Sequence, residues 1–538
     1  MHRSIWIACL LLASAAASAG EQKVDSRVES VGLFKNGLAV VSRIVQVPGP
    51  GVYRLEDVPE PVHGTFWLES DAKVTARVSR RSVEVPASVT PGLLQEDLAG
   101  CRVTVHFADG RTPPASGRVV TPPAEPAVRD ASPPAVGFAS MPQPASPARF
   151  LVLEDGGERV FVDASRIASI RVEGARASVK RRKAVMLLEV GKTARRPASI
   201  RISYLAKGMA WAPSYRVDIS DPAKLVLTQK AIIRNELEPL EETAVRLISG
   251  FPNVEFGHVS SPLSPETSLQ AFFAALSRAP RSWDHVSMGN VVTQQAVRFN
   301  RVAPEQGLDL SAIPTGDGVD LHEQDIGRQT LGLGDALAVQ TASARAPYQR
   351  IVEWIVPDTR DAYGRSLPEH RRQQDPDQYE ESAWDAIRFR NPLAFPMTTA
   401  PAMIVEGDRF NGQRLSTWVN RGEMCSLRIT KALSVRTLHR EEEVKQKRKE
   451  IYLGGDRYYR AAIDGNLKAS NHRNETVSLV IQRSFSGKLL KVDGKPECIL
   501  LPEGVDSVNR RNQCTWRLKL KPGQLIELGY QYSLLVRY

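Results

Sequence analysis

Few residues of this 538-residue sequence have the spacing of a known catalytic, metal-binding or phosphate-binding motif. His322-Glu323 begins like the helix of a zinc protease, but the position where that motif places its second histidine is Ile326. The sequence contains no G-x-S-x-G nucleophile motif, no glycine-rich phosphate loop and no C-x-x-C pair. The nine histidines are scattered, so a metal site would have to be assembled across the fold. We therefore expect no metal, no cofactor and no catalytic residue.

Acidic residues are the other candidates for catalysis. Asp155 and Glu158, and likewise Glu241 and Glu242, lie close together in predicted turns, where carboxylates are usually solvated. Paired carboxylates of a glycosidase are recognised only within a known fold, because their separation in space decides their role. An enzyme whose catalytic residues come from several domains therefore remains the alternative interpretation.

The N terminus has the three parts of a secretory signal peptide. Arg3 gives a positive start, residues 5–12 form a short apolar run, and residues 17–19 form a box of small residues. We expect cleavage after Ala19 and a mature protein that is periplasmic or extracellular. No later stretch is long and apolar enough to predict a transmembrane helix.

Two of the remaining four cysteines flank one loop. Cys498 and Cys514 each stand in a strand-like run, so an oxidising compartment permits a disulfide between them. The alternative is that both are small buried thiols on neighbouring strands. We expect Cys101 and Cys425 to be free and buried.

The chain carries an excess of basic residues. Lysine and arginine number 71 and acidic residues 60, which gives a net charge of +11. Export argues against a nucleic-acid partner, which leaves anionic wall polymers, lipid head groups or acidic proteins as partners. The alternative, which we favour, is that the excess mainly aids solubility. The densest run is Lys180-Arg181-Arg182-Lys183, which is either a solvated turn or an anion-binding patch.

The composition and the hydrophobic pattern predict an all-β protein. The sequence is 42% hydrophobic and 24% charged, which excludes wholesale disorder and fibrous repeats. Apolar and polar residues alternate at period two along most of the chain. The length predicts two to four domains. We expect several antiparallel β-sandwich subdomains and a small Sm/SH3-like barrel, with minor helices.

Turn and composition signals divide the chain into segments. Asn36-Gly37 predicts a hairpin, because both central residues of its turn require positive φ. The predicted order is a signal peptide (1–19), an N-terminal β domain (20–95), a small Sm/SH3-like barrel (96–175) with a Pro-rich disordered loop (121–148), the first part of a β-sandwich domain (176–258), an irregular insertion with a short helix (259–320), the continuation of the sandwich (321–435), and a helix with a C-terminal β-sandwich (436–538).

Two helices are predicted. Ser264-Pro265 begins a short helical run that ends near Arg278. Residues 437–450 carry glutamates early and lysines or arginine late, an order that complements the helix dipole and forms i,i+4 pairs.

One pattern recurs three times along the sequence. Ala231–Asn235, Ala386–Asn391 and Leu467–Asn471 are each a strand-like run that ends on asparagine before a polar turn and another strand. The recurrence suggests stacked β-sandwich subdomains. Ordinary β-turn chemistry is the alternative explanation.

One segment rich in aromatic residues also carries a resemblance to a known family. Residues 204–218, which contain Trp211, Pro213 and Tyr215, resemble the mucoidy-inhibitor A-like family, whose shared β-rich domain is catalogued as of unknown function. Further similar runs bring the resemblance to residues 184–258 and 321–538; they lie at 225–235, 246–252, 389–391, 399–405, 412–413, 518–523 and 530–532.

The resemblance implies an all-β envelope protein that is secreted or periplasmic. It implies structural roles for the signature residues Trp211, Pro213, Tyr215, Asn235 and Asn391, and it brings no catalytic residue to this chain. Many members place a long coiled coil where this sequence has its small barrel. Functions tied to that coiled coil therefore do not transfer.

We expect a non-enzymatic binding or scaffold protein whose partner is an envelope protein or an anionic wall polymer. An exposed aromatic or basic patch would mark such a protein, whereas a cleft with perturbed carboxylates or histidines would indicate an envelope enzyme that acts on carbohydrate or peptide. A third hypothesis, an outer-membrane component, rests on the alternation of apolar residues from Tyr530 to Tyr538, which a final sandwich strand explains better.

Overall fold

The computed structural model describes residues 21–86, 94–121, 150–174, 178–192, 197–250, 254–277, 321–361, 363–367, 382–444, 450–505 and 507–537. The protein is mostly β, with 64% strand and 4% helix, in several mixed and antiparallel sheets. The predicted signal peptide, most of the Pro-rich loop and the insertion from 278 to 320 lie outside the described residues.

The described residues of the first half form sixteen strands and two short helices. The strands are β1 (Gln22–Lys23), β2 (Ser26–Phe34), β3 (Leu38–Val47), β4 (Gly51–Leu55), β5 (Trp67–Glu69), β6 (Val74–Pro86), β7 (Arg102–Phe107), β8 (Ala115–Val119), β9 (Phe150–Asp155), β10 (Glu158–Asp163), β11 (Ile167–Glu173), β12 (Ser178–Val190), β13 (Ala198–Lys207), β14 (Met209–Asp218), β15 (Lys224–Asn235) and β16 (Leu240–Ser249). The helices are α1 (Leu94–Asp97) and α2 (Leu269–Ser277).

In the described part of the second half, the elements are strands and one 3-10 turn at Pro502–Gly504. The strands are β17 (His322–Leu331), β18 (Ala336–Val356), β19 (Trp384–Arg390), β20 (Pro401–Glu406), β21 (Arg409–Leu415), β22 (Met424–Lys431), β23 (Val435–Glu443), β24 (Glu450–Leu453), β25 (Asp456–Asn471), β26 (Val477–Ser486), β27 (Lys488–Val492), β28 (Glu497–Leu500), β29 (Arg511–Leu520) and β30 (Leu525–Arg537).

Two sheets share the first hydrophobic core. One has the order β1-β4-β12-β6 and the other the order β17-β16-β2-β3-β13-β5. In most of these strands apolar residues alternate with polar ones and one face is buried, whereas residues 185–188 of β12 are buried on both faces. The buried faces meet in one cluster that includes Leu33, Leu188 and Ile200, and Trp211 of β14 joins the same cluster from a neighbouring sheet.

Five short strands form a separate antiparallel sheet around their own small core. The order is β10-β9-β8-β7-β11, and a 3-10 turn at Ala164–Arg166 connects β10 to β11. Val103, Val105, Leu151 and Leu153 fill the core of this sheet. No closed barrel is detected in the described part of the chain.

A long sheet path joins the middle and the C-terminal regions. Its order is β21-β20-β14-β15-β18-β26-β29-β28, with β19 pairing β18 and β22. A further sheet runs β23-β25-β30-β27, with β24 beside β25. Strand β18 has 21 residues and contributes to both halves of the path.

Three of the five sheets are mixed and two are antiparallel, whereas the sequence pattern predicted antiparallel sandwiches. Parallel pairs join β1 to β4, β2 to β16, β14 to β20 and β18 to β26. Parallel strands cannot be joined by a hairpin, so each pair brings together segments that are distant in the sequence. Local turn signals carry no information on such pairs.

Three buried asparagines close three equivalent turns. Each Nδ2 group donates hydrogen bonds to three backbone carbonyls, at N···O distances between 2.7 and 3.2 Å. Each Oδ1 accepts a hydrogen bond from the backbone N–H two residues later. The residues are Asn235, Asn391 and Asn471, none more than 3% exposed. The recurrence in the sequence is therefore a repeated structural device.

The opposing turn repeats as well. In each copy a glycine in the left-handed region, with φ between 72° and 87°, donates its N–H to the carbonyl of the asparagine. The side chain of the following residue accepts a hydrogen bond from the backbone N–H three positions earlier. These pairs are Gly334 with Asp335, Gly422 with Glu423, and Gly523 with Gln524.

The helix predicted for residues 437–450 is wrong. Strand β23 occupies its first half, β24 begins at its last residue, and residues 445–449 lie outside the described part. His439 and Glu441 point inward while Leu438 is 54% exposed. The inner face is polar, so a period-two strand resembled a charged helix in sequence.

The short helix predicted after Pro265 is confirmed as α2. The alternation near the C terminus also has a structural explanation. Tyr530, Tyr532, Leu534 and Val536 are all buried in the core between β30 and its neighbours.

Candidate functional site

Three cations surround one tryptophan on the surface of the middle region. The guanidinium carbons of Arg414 and Arg428 lie 5.1 and 5.6 Å from the ring centre of Trp384, and the Lys431 ammonium lies 5.8 Å away. Trp384 is half-buried and Lys431 is exposed. These four residues are called the Trp384 patch below. Cations at such distances are attracted by the electron-rich face of an indole ring.

Three strands bring these side chains together. Trp384 begins β19 and lies directly opposite Lys431, the last residue of β22. Arg428 lies three residues before Lys431 on β22, beside a register shift that follows Asp385. Arg414 comes from β21.

The approach of β21 to β22 depends on a glycine. A Cβ atom on Gly412 would stand 2.6 Å from the carbonyl oxygen of Ile429, which no side chain tolerates. Glycine at this position therefore lets β21 lie against β22, and the neighbouring Arg414 is carried to the tryptophan.

A buried glutamate orients part of the patch. The carboxylate of Glu353 on β18 accepts hydrogen bonds from Arg428 at 3.0 Å and from Arg388 at 3.3 Å. Glu353 is 2% exposed, so its carboxylate interacts with these two arginines rather than with solvent. The four residues of the patch comprise three cations and no carboxylate.

The arrangement can hold an anion. Strands fix the backbone of all three cations, and the indole ring restricts their side chains further. Guanidinium groups bind carboxylates and phosphates through paired N–H donors, and an ammonium adds a mobile point charge. The patch therefore suits a ligand that presents more than one anionic group.

A second cluster of ionisable groups lies in the C-terminal core. Arg483 donates to Glu441 at 2.6 Å, to the Tyr530 hydroxyl at 3.0 Å and to Asp358 at 3.4 Å. His439 lies 2.8 Å from the same hydroxyl. Burial opposes the charge of Glu441, but the positive charge of Arg483 and several hydrogen bonds hold its pKa well below the usual range. Burial raises the pKa of Tyr530.

This cluster is enclosed. The side chains of Arg483, His439 and Glu441 are 2%, 2% and 6% exposed. Their polar groups bond to one another rather than facing a cleft. Such a network rigidifies a core and offers a substrate no access.

A similar cluster occurs in the first core. Arg43 forms ion pairs with Glu238 and with Asp57, and its guanidinium lies 5.8 Å from the ring centre of Tyr204. The Tyr204 hydroxyl donates to Glu238 at 3.3 Å. Burial raises the pKa of Glu238 and of Tyr204. The repetition of arginine, tyrosine and carboxylate in two cores is further evidence of a structural role.

The signature residues of the resemblance lie in the interior of the protein. Trp211 is 1% exposed and donates its indole N–H to the carbonyl of Ile248 at 3.1 Å. Pro213 is buried beside it on β14. The Tyr215 hydroxyl accepts a hydrogen bond from the backbone N–H of Thr398 at 2.8 Å. Asn235 and Asn391 close the turns described above.

The basic run is part of a strand, so its interpretation as a turn is wrong. Residues 178–183 pair with β6 in a continuous ladder. Arg182 and Lys183 are exposed, and the side chains of Lys180 and Arg181 lie outside the described set. The run lies in a different sheet from the Trp384 patch, so the structure does not combine the two.

The cysteine predictions are confirmed. Cys498 and Cys514 form a disulfide between the paired strands β28 and β29. Cys101 and Cys425 are free and buried. A disulfide indicates an oxidising, extracytoplasmic environment.

The remaining candidates for a functional site are a metal cluster, a stacked histidine and a surface depression. Within the described residues, no group of three or more His, Cys, Asp or Glu side chains is arranged to hold a metal. His322 stacks on Phe395 with ring centres 5.0 Å apart, and burial lowers its pKa. An open depression of about 390 Å³ beside β12 contains a single carboxylate, Glu189, next to Lys73. In the same part of the chain, no helix is both long and apolar enough to cross a bilayer.

The patch was missed in the sequence because no local pattern contains it. Trp384 and Lys431 are 47 positions apart, and only the register of β19 against β22 makes them neighbours.

A comparison with protein-family models gives no match, and a comparison with curated proteins gives none either.

Proposed function

We propose that this chain is an exported envelope protein, of the kind that its sequence resembles, which binds an anionic wall polymer and catalyses no reaction. The observation that carries the proposal is the Trp384 patch, with three cations held around one half-buried indole. Cations fixed on strands bind carboxylate or phosphate groups with little ordering cost. A polymer repeats such groups, so modest contacts add up along its length.

The compartment supports this partner. The N-terminal residues predict a signal peptide, and the Cys498–Cys514 disulfide indicates an oxidising environment. Wall polymers and outer polysaccharides are the abundant anions outside the cytoplasm. A net charge of +11 adds a long-range attraction that falls with ionic strength.

The proposed architecture is a row of stacked β-sandwiches with one Sm/SH3-like unit. The three asparagine turns mark equivalent positions in successive large units. In the small unit, β7 lies between β8 and β11, so the first strand pairs with the second and the fifth. That order is the one expected for an Sm/SH3-like barrel. In this proposal the sandwiches are scaffolds, and the patch on β19, β21 and β22 is the binding surface.

Cosedimentation with a purified anionic wall polymer tests the proposal. The exported full chain is incubated with the polymer at low and at high salt, and the bound fraction and the polymer length are both measured. We expect saturable binding at low salt, release at high salt, and a polymer of unchanged length. A shortened polymer would contradict the non-enzymatic role.

Variants assign the binding to a surface. Arg182→Gln with Lys183→Gln removes two charges from the basic run on β12, which is the rival anion site. We expect this double variant to bind nearly as well as the wild type. A loss of binding on this change would move the site from the Trp384 patch to the run on β12.

A further inference from the structure

Strand β10 forms an open edge of the five-stranded sheet. Among the described strands it pairs with β9 alone. The two strands are joined by the two-residue turn Gly156-Gly157, so Glu158, Val160 and Val162 direct their backbone groups toward β9. The N–H and C=O groups of the alternate residues, 159, 161 and 163, point to the open side.

The middle of this edge is apolar and exposed. Phe161 is 63% exposed and Val160 is 38% exposed, and Phe150 on β9 is 42% exposed on the same face as Phe161. Edge strands are normally protected by charged residues or proline. The long edge strand β6 has this protection, with exposed Arg77 and Arg80. Strand β10 has no proline, and its charged residues, Glu158, Arg159 and Asp163, lie at its two ends, which leaves Val160, Phe161 and Val162 between them.

The sequence of β10 is complementary to itself in one antiparallel register. The outward-directed residues must face one another across the pair, which leaves few alignments. In the alignment centred on Phe161, that residue lies opposite its own copy. Arg159 then lies opposite Asp163 of the second strand, and this ion pair occurs twice. Shifting the register by two residues in either direction places a charge opposite Phe161 and loses both ion pairs.

The charged residues of this register are well placed. Asp163 ends β10 and accepts hydrogen bonds from the backbone and side chain of Ser165 at 3.0 and 2.7 Å, which hold its carboxylate at the strand end. Arg159 already lies opposite Glu154 on β9. A second strand would therefore place Arg159 between two carboxylates, which is favourable on a pleated sheet.

We propose that two copies of this chain associate through their β10 strands, antiparallel and centred on Phe161, to form a continuous ten-stranded sheet. Backbone hydrogen bonds at residues 159, 161 and 163 supply the affinity, while the phenylalanine pair and the two ion pairs fix the register. The dimer is independent of the polymer site, because β10 belongs to a different sheet from the Trp384 patch.

Charge exchange tests this register. Arg159→Asp places two aspartates opposite each other at both ends of the pair, and Asp163→Arg places two arginines there. Molar mass is measured by light scattering over a range of protein concentrations for the full chain. We expect the wild type to dimerise and each variant to dissociate, with a dissociation constant raised at least about tenfold.

Mixing the two variants is the decisive arm. The Arg159→Asp chain carries two acidic residues and the Asp163→Arg chain two basic ones, so both ion pairs are restored in the heterodimer. We expect the mixture to dimerise again, which also shows that each variant is folded. A wild type that stays monomeric, an assembly larger than a dimer, or a dimer that neither substitution weakens would overturn the proposal.

Discussion

Arg414 lies 5.1 Å from the ring centre of Trp384 because Gly412, two residues earlier on the same strand, passes against the backbone carbonyl of Ile429. The position of one cation thus depends on the absence of a side chain two residues away on the same strand. This relationship links the fold of the middle region to its proposed binding surface.

Replacement of Gly412 by alanine should therefore impair binding without changing any charge. The added Cβ would stand 2.6 Å from the Ile429 oxygen, so β21 must shift away from β22. We expect a loss of about 1–3 kcal/mol in the free energy of unfolding and a severalfold weaker binding of the anionic polymer. Gly407→Ala is the control for binding: alanine strains its φ of 61° and so also costs stability, but its Cβ meets no atom within 4 Å and does not push β21 away from β22. Equal losses of binding in both variants would argue against this account.

The asparagine turns should be main determinants of stability. Asn391→Ala leaves the carbonyls of Phe395, Val419 and Asn420 without their side-chain donor. We expect a loss of about 2–4 kcal/mol, measured by chemical denaturation. Asn471→Ala should cost a similar amount.

Two comparisons sharpen that expectation. Asn391→Asp keeps the size of the side chain but replaces its donor by a negative charge, so it should be at least as destabilising as alanine. Asn466→Ala removes an exposed hydrogen bond to Glu527 and should cost under about 1 kcal/mol. If Asn391→Ala were as mild as Asn466→Ala, the turns would not have the role that we assign to them.

Acid should destabilise the C-terminal region through Glu441. Its folded-state pKa lies below the ordinary value of 4.5, so its stabilising effect is complete above that pH and is lost as the pH falls further. Glu441→Gln leaves Arg483 with a weakened set of counter-charges and should cost about 3–5 kcal/mol at neutral pH. The variant should also lose part of the dependence on acid.

Thermal unfolding between pH 3 and pH 7 measures both effects. Glu442→Gln is the matched control, because Glu442 neighbours Glu441 on the same strand and its side chain is 74% exposed. This control should follow the wild type. A Glu441→Gln protein with an unchanged acid profile would show that other carboxylates dominate.

Alkaline pH should stabilise the contact between the first hairpin and the middle region. Lys35 is 8% exposed and donates only to neutral oxygens, at 3.0 Å to the Thr398 hydroxyl and at 2.8 Å to the Thr399 carbonyl. Burial lowers its pKa from 10.5 to about 8. Between these values the folded chain binds fewer protons than the unfolded chain, so stability rises with pH, by up to about 3 kcal/mol.

Denaturant unfolding at several pH values from 7 to 10.5 tests this expectation. Lys35→Met removes the titrating group and should flatten the rise. Lys23→Met, at a side chain that is 54% exposed, should leave the rise intact. A slope that survives Lys35→Met would assign the pH dependence to another residue.

The sequence predicted those parts of the fold that depend on local chemistry. The strand endings at Asn235, Asn391 and Asn471 could be predicted because each asparagine stands between an alternating strand-like run and a polar turn, and asparagine favours such turns. The short helix after Pro265 and the disulfide were visible for similar reasons. These features are encoded by residues that are neighbours in the chain.

Features that depend on distant residues could not be predicted in this way. The inner face of β23 is polar because His439 and Glu441 meet Tyr530, some 90 positions later, so the strand resembled a helix. Trp384 and its cations come from three strands whose register is set by the whole sheet. Their residue types are common, and their spacing in the sequence carries no signal.

The most direct test of the account is the affinity of the Trp384 patch for an anionic wall polymer. Arg414→Gln with Lys431→Gln removes two cations from the ring and leaves Arg428 on its buried glutamate. Arg436→Gln with Arg440→Gln removes two charges from exposed positions on β23. Binding is titrated calorimetrically at low salt. The account predicts a loss of about tenfold for the first pair and little change for the second; equal affinities for the two double variants would contradict it.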